Sequence, residues 1–168
     1  VTDWFRSVNA VGESFGVLKV RAGDADIDFS LPRRESKTGK GHKGFTVEGD
    51  PAMTIEEAAR RRDFTMNALA KDPLTGEIYD YFGGAEDLRN RVLRMTDRER
   101  FGDDPLRILR GLQFMARFGL RLDQETADEI RRLAPKLAMG SEERPTNERI
   151  GEEWRKLLVK GKKPSLGL

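Results

Sequence analysis

The chain has 168 residues, 36% of them charged and 37% apolar, and its formal net charge of +2 conceals separate basic and acidic stretches. It contains no cysteine, which excludes disulfides, thiolate metal sites and cysteine nucleophiles and makes a reducing cytoplasm the expected home. No run approaches the roughly 20 apolar residues of a membrane span and "VTDWFRSVNA" lacks the layout of a signal peptide, so a soluble protein with no membrane partner is expected.

In chain order, "FGVLKV" (15–20) and "ADIDFSLPR" (25–33) flank "RAGD" and predict a hairpin. In its second strand Asp26, Asp28 and Ser30 share one face, while Ile27, Phe29 and Leu31 share the other. "RESKTGKGHKGFTVEGDP" is rich in Gly and Lys and reads as a mobile basic loop. "TIEEAARRRDFTMNALA" carries Thr54 and Glu57 in capping-box spacing and predicts a helix over 54–70. "GEIYDYFGG" supplies a turn and a brief strand, "AEDLRNR" a short helix and "VLRMT" a further strand. Beyond residue 97 the periodic segments are helical, at 104–118, 124–137 and 146–160. The fold class expected is α+β, with a mixed domain over 1–96 and an all-helical one over 97–168.

Four constellations could carry chemistry. In "FGDDPLRILRGLQFMARFG" (101–119), Asp103 and Asp104 precede Pro105 at a helix start, where acidic residues cap free amides and suit the helix dipole. Asp104 and Arg107 stand one turn apart, as a surface ion pair or as an acceptor beside a donor. That second arrangement complements the amino donor and ring acceptor on the Watson–Crick edges of cytosine and adenine, and opposes uracil and guanine. In "RRRDFTMNAL" (60–69), Asp63 and Asn67 lie one turn apart with Arg60 on their face and Arg62 offset. These residues are either a solvated helix face or a set for ribose hydroxyls and phosphate oxygens.

The acidic strand face around Asp28 is either ordinary exposed surface or a site for Mg²⁺, which prefers oxygen ligands. The C-terminal cations Arg155, Lys156, Lys160, Lys162 and Lys163 have no acidic residue among them and suit RNA phosphates or a helix C-terminus. Ile150, Trp154, Leu157 and Leu158 form one apolar stripe, expected in a core. His42, the single histidine, has no partner in view.

Together, "FGVLKV", "DIDFSLPRRE", "RRDFTMNALAKDPLTGEIYDYFGGAEDL" and "FGDDPLRILRGLQFMARFG" occur in the order seen in class II tRNA nucleotidyltransferases, the CCA-adding enzymes and their bacterial poly(A) polymerase relatives. The resemblance covers nearly the whole chain. It implies a partial polymerase-β-like nucleotidyltransferase head (1–96), followed by a helical neck (97–168) that selects bases and binds RNA. Carried over, Arg62, Asp63 and Asn67 match the ribose and triphosphate motif, Asp104 and Arg107 the base-selecting pair, and Arg110 a position that approaches the triphosphate. Asp28 matches a variable acidic position with a catalytic or metal-supporting role. Residues 36–49 resemble a flexible loop, and Gly83 and Gly84 a turn.

Two departures stand out. Asp103 replaces a Glu usual in the family, and the Gly-Gly segment and Asp-x-Asp metal pair that precede "FGV" in the family are not in this sequence. Asp24 and Asp26 have that pair's spacing but lie after "FGVLKV".

In the family, an RNA 3′ hydroxyl attacks the α-phosphate of CTP or ATP with two Mg²⁺ ions stabilising the attacking and leaving oxygens. The partners implied are CTP or ATP and a tRNA 3′ end. Weak or no activity is expected of this chain by itself. The start without Met and the end at "KKPSLGL" suggest a piece of something longer, needing an N-terminal segment, a partner chain or a second copy. The rival expectations are a non-catalytic nucleotide- or RNA-binding module, one part of a split enzyme, or a structural fragment with open sheet edges. CCA addition, CC-only or A-only addition and poly(A) synthesis share these motifs.

Overall fold

The computed structural model describes residues 8–11, 17–37 and 45–167, so His42 lies outside the described residues. Two compact units divide after Thr54. The first contains an antiparallel sheet of order β1-β2-β3, with β1 Val8–Val11, β2 Val17–Ala22 and β3 Ala25–Ser30. The β2–β3 hairpin is the expected one. Its loop is Gly23-Asp24, and Gly23 supplies the positive φ (61°) that a two-residue hairpin turn requires. "VNAV" carries no pattern that announces a strand, yet it pairs along β2 as β1.

The expected basic loop is corrected in part. Arg33–Lys37 (β4) pairs antiparallel with Phe45–Gly49 (β5). The β-favouring "FTV" is hidden when composition is averaged over its Gly- and Lys-rich neighbours. Residues 38–44 lie outside the described residues.

The second unit begins with α1 Ile55–Arg60. The helix expected over 54–70 stops there, a correction with a visible cause. Phe64 adopts an extended conformation and bridges Met95, Thr65 N–H donates to the Arg94 carbonyl, and Thr96 N–H donates to the Asp63 carbonyl. Phe and Thr are modest helix formers, so pairing with residues 94–96 outcompetes one more helical turn. A 3₁₀ turn, Thr65–Asn67, follows, then the short hairpin of β6 (Ala70–Lys71) and β7 (Ile78–Tyr79).

Next come α2 Gly84–Arg89, β8 Val92–Leu93, α3 Arg98–Phe101 and α4 Leu106–Phe118. The chain continues through β9 Arg121–Leu122, α5 Gln124–Leu133 with a 3₁₀ extension to Leu137, and α6 Asn147–Lys160. β8 and β9 pair in parallel across α4. Gly84 cannot be larger, since a Cβ there would sit 2.2 Å from the Thr65 carbonyl oxygen. No helix among the described residues is long and apolar enough to cross a membrane.

The core of this unit gathers around Phe64, with Leu93, Phe101, Ile108, Phe114, Leu120 and Leu133. The Phe64 ring meets Phe101 and Phe114 edge to face, at centroid separations of 5.5 and 5.8 Å. Gly111 lets α4 approach that ring, as a Cβ there would lie 3.1 Å from Phe64 Cζ. Residues from both sides of position 96 therefore share one core.

Candidate nucleotide site

Burying Phe64 carries its neighbours with it. Asp63, directly before it, is buried, and both of its carboxylate oxygens are engaged. Oδ1 accepts from Phe64 N–H and from Asn67 Nδ2, each at 2.9 Å. Oδ2 accepts from Arg110 Nε at 2.7 Å. The i, i+4 link from Asp63 to Asn67 thus survives although the helix does not. Arg110 lies over the Phe114 ring at 5.2 Å, and neither of its terminal nitrogens has a partner among the described residues. A guanidinium fixed at Nε and open at both η nitrogens is a fork for phosphate oxygens.

Arg60 does not join this group, contrary to expectation. Its guanidinium bonds Glu56, lies 3.6 Å from Asp97 and stacks over Phe82, because the chain bends before Asp63. Arg62 is exposed, and its side chain has no partner among the described residues.

Asp104 caps α4: its Oδ1 accepts from Leu106 N–H at 3.1 Å, so the capping role that Asp103 was a candidate for falls to its neighbour. Its Oδ2 accepts from Arg149 Nη2 of α6 at 2.7 Å. Each oxygen takes one donor and retains a lone pair for another. Arg107 reaches backward, donating from Nη2 to the Arg61 carbonyl at 2.7 Å and from Nη1 to the Arg100 carbonyl at 2.8 Å. Two segments 40 residues and more apart in sequence are thereby joined twice, through Asp63 to Arg110 and Arg61 to Arg107.

Arg149 was not foreseen. Nothing in its sequence surroundings signals that it partners Asp104, since only the packing of α6 along α4 brings the two together. α4 is also buried more widely than its apolar stripe suggests, with Gly111, Gln113 and Phe114 enclosed as well.

In the first unit, Asp28 is exposed and faces Lys19 across the strands at 3.9 Å, while Asp26 faces Arg21 at 3.3 Å. The acidic face is a ladder of cross-strand ion pairs. Among the described residues no three acidic, histidine or cysteine side chains converge as a metal site, and Asp26 and Asp28 each face a cation across the strands.

The basic tail is only partly free. Arg155 pairs with Glu152 and Lys156 with Glu153, so their charges are answered on their own helix, whereas Lys160, Lys162 and Lys163 are exposed and unpaired among the described residues. The expected core stripe is corrected too. Leu157 is buried, but Trp154 and Leu158 are exposed, because α6 packs on α4 through the Arg149, Glu153 and Leu157 side.

A buried carboxylate bonded to an arginine, Asp63 to Arg110, thus stands in the same unit as a helix start whose capping carboxylate, Asp104, is bonded to a second arginine, Arg149. The model of the poly(A) polymerase head domain matches residues 1–94, and the chain belongs to that family. The Multifunctional CCA protein of Stenotrophomonas maltophilia (strain K279a) is 43% identical over 154 residues, covering 89% of this chain and 36% of the relative. That of Xanthomonas euvesicatoria pv. vesicatoria (strain 85-10) is 43% identical over 152 residues, covering 88% and 35%.

Among solved structures, the Bacillus stearothermophilus CCA-adding enzyme in complex with CTP superposes with a TM-score of 0.78 at 31% identity, covering 98% of this chain and 38% of that one. A tRNA nucleotidyltransferase complexed with a primer tRNA and an incoming ATP analog gives 0.70 at 30% identity, covering 90% and 40%. The chain spans about a third of the length of the curated relatives it matches.

Proposed function

We propose that this chain carries the nucleotide-selecting part of a cytoplasmic, template-independent RNA nucleotidyltransferase that adds C, A or both to the 3′ end of tRNA from CTP and ATP. The observation that carries this is the double tie between "RRDFTMNAL" and "DDPLRILR": Asp63 to Arg110 and the Arg61 carbonyl to Arg107, each 2.7 Å. Similarity to relatives described as CCA proteins and to structures described with CTP, an ATP analog and a primer tRNA supports it. The head-to-neck division is proposed near residue 96, close to the end of the head-domain match.

In this reading Asp63, saturated and buried, is a positioning residue. It aims the open end of Arg110 at the triphosphate, together with the exposed Arg62, and turns Asn67 toward the ribose. Asp104 offers its spare lone pairs to the amino group of cytosine or adenine, and Arg107, releasing the Arg100 carbonyl while keeping that of Arg61, donates to the ring acceptor beside it. Uracil and guanine would set acceptor against acceptor and are rejected. Arg149 keeps the Asp104 carboxylate oriented.

The test is calorimetric binding of CTP, ATP, UTP and GTP to the chain and to Asp104→Asn. Loss of the acceptor pattern should shrink the preference for CTP and ATP by about 10- to 100-fold, corresponding to about 1–3 kcal/mol per base contact. Asn keeps an oxygen for the Leu106 N–H, so the cap is retained; base preference intact in this variant would leave Asp104 a capping residue and sink the base-reading role.

The paired state of Asp26 and Asp28 favours a second reading of the chain by itself: nucleotide binding without turnover. Robust incorporation of labelled CTP into a tRNA lacking its terminus, by this chain with no added protein, would overturn that.

A further inference from the structure

Most arginines of the second unit have their charge answered. Arg60, Arg89, Arg94, Arg98, Arg110, Arg131, Arg132, Arg149 and Arg155 each form an ion pair with a carboxylate. The far end of α4 breaks this pattern. There Gly119, at φ 66°, closes the helix with its N–H donating to the Met115 carbonyl, and the chain turns back into β9. The turn sets Arg121 against Arg91, whose carbonyl accepts the Arg121 N–H at 2.9 Å, while Arg91 Nη1 reaches the Phe118 carbonyl at 3.4 Å. From the other side, Lys163 N–H donates to the Ala116 carbonyl at 2.9 Å, bringing Lys162 and Lys163 next to the same turn.

Five cations from four stretches of chain thus meet at one place, and none has an acidic partner among the described residues. In their midst Phe118 is 43% exposed, with the Arg117 guanidinium 4.8 Å above its ring.

A helix C-terminus attracts one or two cations through its dipole, for about 0.3–1 kcal/mol each. It does not account for the positive residues that the segment before β8, β9 and the segment after α6 bring to the same turn. Unanswered cations gathered at one turn match a nucleic-acid strand, whose phosphates release counterions on contact; the Phe118 ring, stacked on Phe114 at 6.0 Å, holds the Arg117 guanidinium in place.

We infer that Arg91, Arg117, Phe118, Arg121, Lys162 and Lys163 form a second, RNA-backbone contact surface, separate from the nucleotide site and about 20 Å from Asp104, the length of α4. The inference rests on RNA being the substrate, as proposed above, and moves the RNA contact from the paired Arg155 and Lys156 to the end of α4. The surface binds the strand upstream of the 3′ end being extended, without reading its sequence.

The test is fluorescence anisotropy of the full chain against a labelled tRNA transcript lacking its terminal CCA, at three salt concentrations. Arg117→Gln/Arg121→Gln should weaken binding roughly tenfold and lower the log–log salt slope by about 1 to 2, since each phosphate contact contributes about 0.7–0.9. Lys162→Gln/Lys163→Gln, at two exposed positions, should lose affinity in the same direction and decides the matter if the first variant proves unstable.

Arg89→Gln/Arg131→Gln removes the same charge from two exposed ion pairs and should change affinity less than about twofold, as expected of exposed pairs. Equal losses in this control, unchanged binding in both patch variants, no tRNA binding by the unaltered chain, or equally tight binding to phosphatidylserine vesicles would each overturn the inference. CTP binding, measured on the same samples, judges the nucleotide site separately: its absence with the patch effect intact would break the nucleotide reading alone.

Discussion

The two units use the same residue type in opposite ways. Asp28 in the first lies on an exposed strand face, answered by Lys19 at 3.9 Å with solvent around both. Asp63 in the second is 7% exposed, its oxygens shared among a backbone amide, Asn67 and Arg110. An exposed ion pair contributes little because water screens it and two long side chains must be ordered. A buried carboxylate must be fully satisfied, and that demand fixes the orientation of everything bonded to it. Orientation is what a recognition site needs, which is why the nucleotide site is proposed in the second unit.

The largest effect that would sharpen this contrast comes from the ring that buries Asp63. Phe64→Ala should cost about 3–5 kcal/mol in denaturant unfolding, whereas Phe29→Ala, at a β3 residue that is 39% exposed, should cost a fraction of that. Comparable losses would erase the distinction between the two units.

Next is the carboxylate itself. Asp63→Ala strands the Phe64 amide and the Arg110 Nε, for about 2–3 kcal/mol, and should abolish CTP binding by releasing Arg110 and Asn67. Asp28→Ala should stay within about 0.5 kcal/mol of the unaltered chain. CTP binding that survives Asp63→Ala would break the positioning role.

The smallest expected effect is pH-dependent. Glu129, 1% exposed, is held below the usual carboxylate range by its hydrogen bonds to Arg132, against the opposing pull of burial, with Arg98 adding to the lowering. A carboxyl lowered on folding contributes stability above its unfolded value near 4.5 and loses it as pH falls through the folded value. Glu129→Gln should therefore be up to about 1 kcal/mol less stable at pH 7, and the gap should close below pH 4.5 in thermal melts taken across the acid range. A gap independent of pH would mean that the side chain acts through packing.

Several elements were legible locally. The β2–β3 hairpin announces itself through "RAGD" between alternating runs, and α4, α5 and α6 through period and caps, because those signals need only a few neighbouring residues. The family motifs placed Asp63, Asn67, Asp104, Arg107 and Arg110 together in prospect. What stayed hidden depends on partners far along the chain: the end of α1 at Arg60, caused by the pairing of Phe64 with Met95; the division after Thr54; and the exposure of Trp154.

By itself, then, the sequence determined an α+β chain, its family, and which carboxylates and arginines lie in the motifs proposed to bind a nucleotide. Only the tertiary structure decided which of these charges are spent and which are free. Asp104 is answered by Arg149, Asp26 by Arg21 and Arg155 by Glu152, while Arg117, Arg121 and Lys163 meet unanswered at the end of α4. The reason is physical: a residue's charge is written in its own letter, but whether that charge is neutralised depends on what the fold packs within about 4 Å of it.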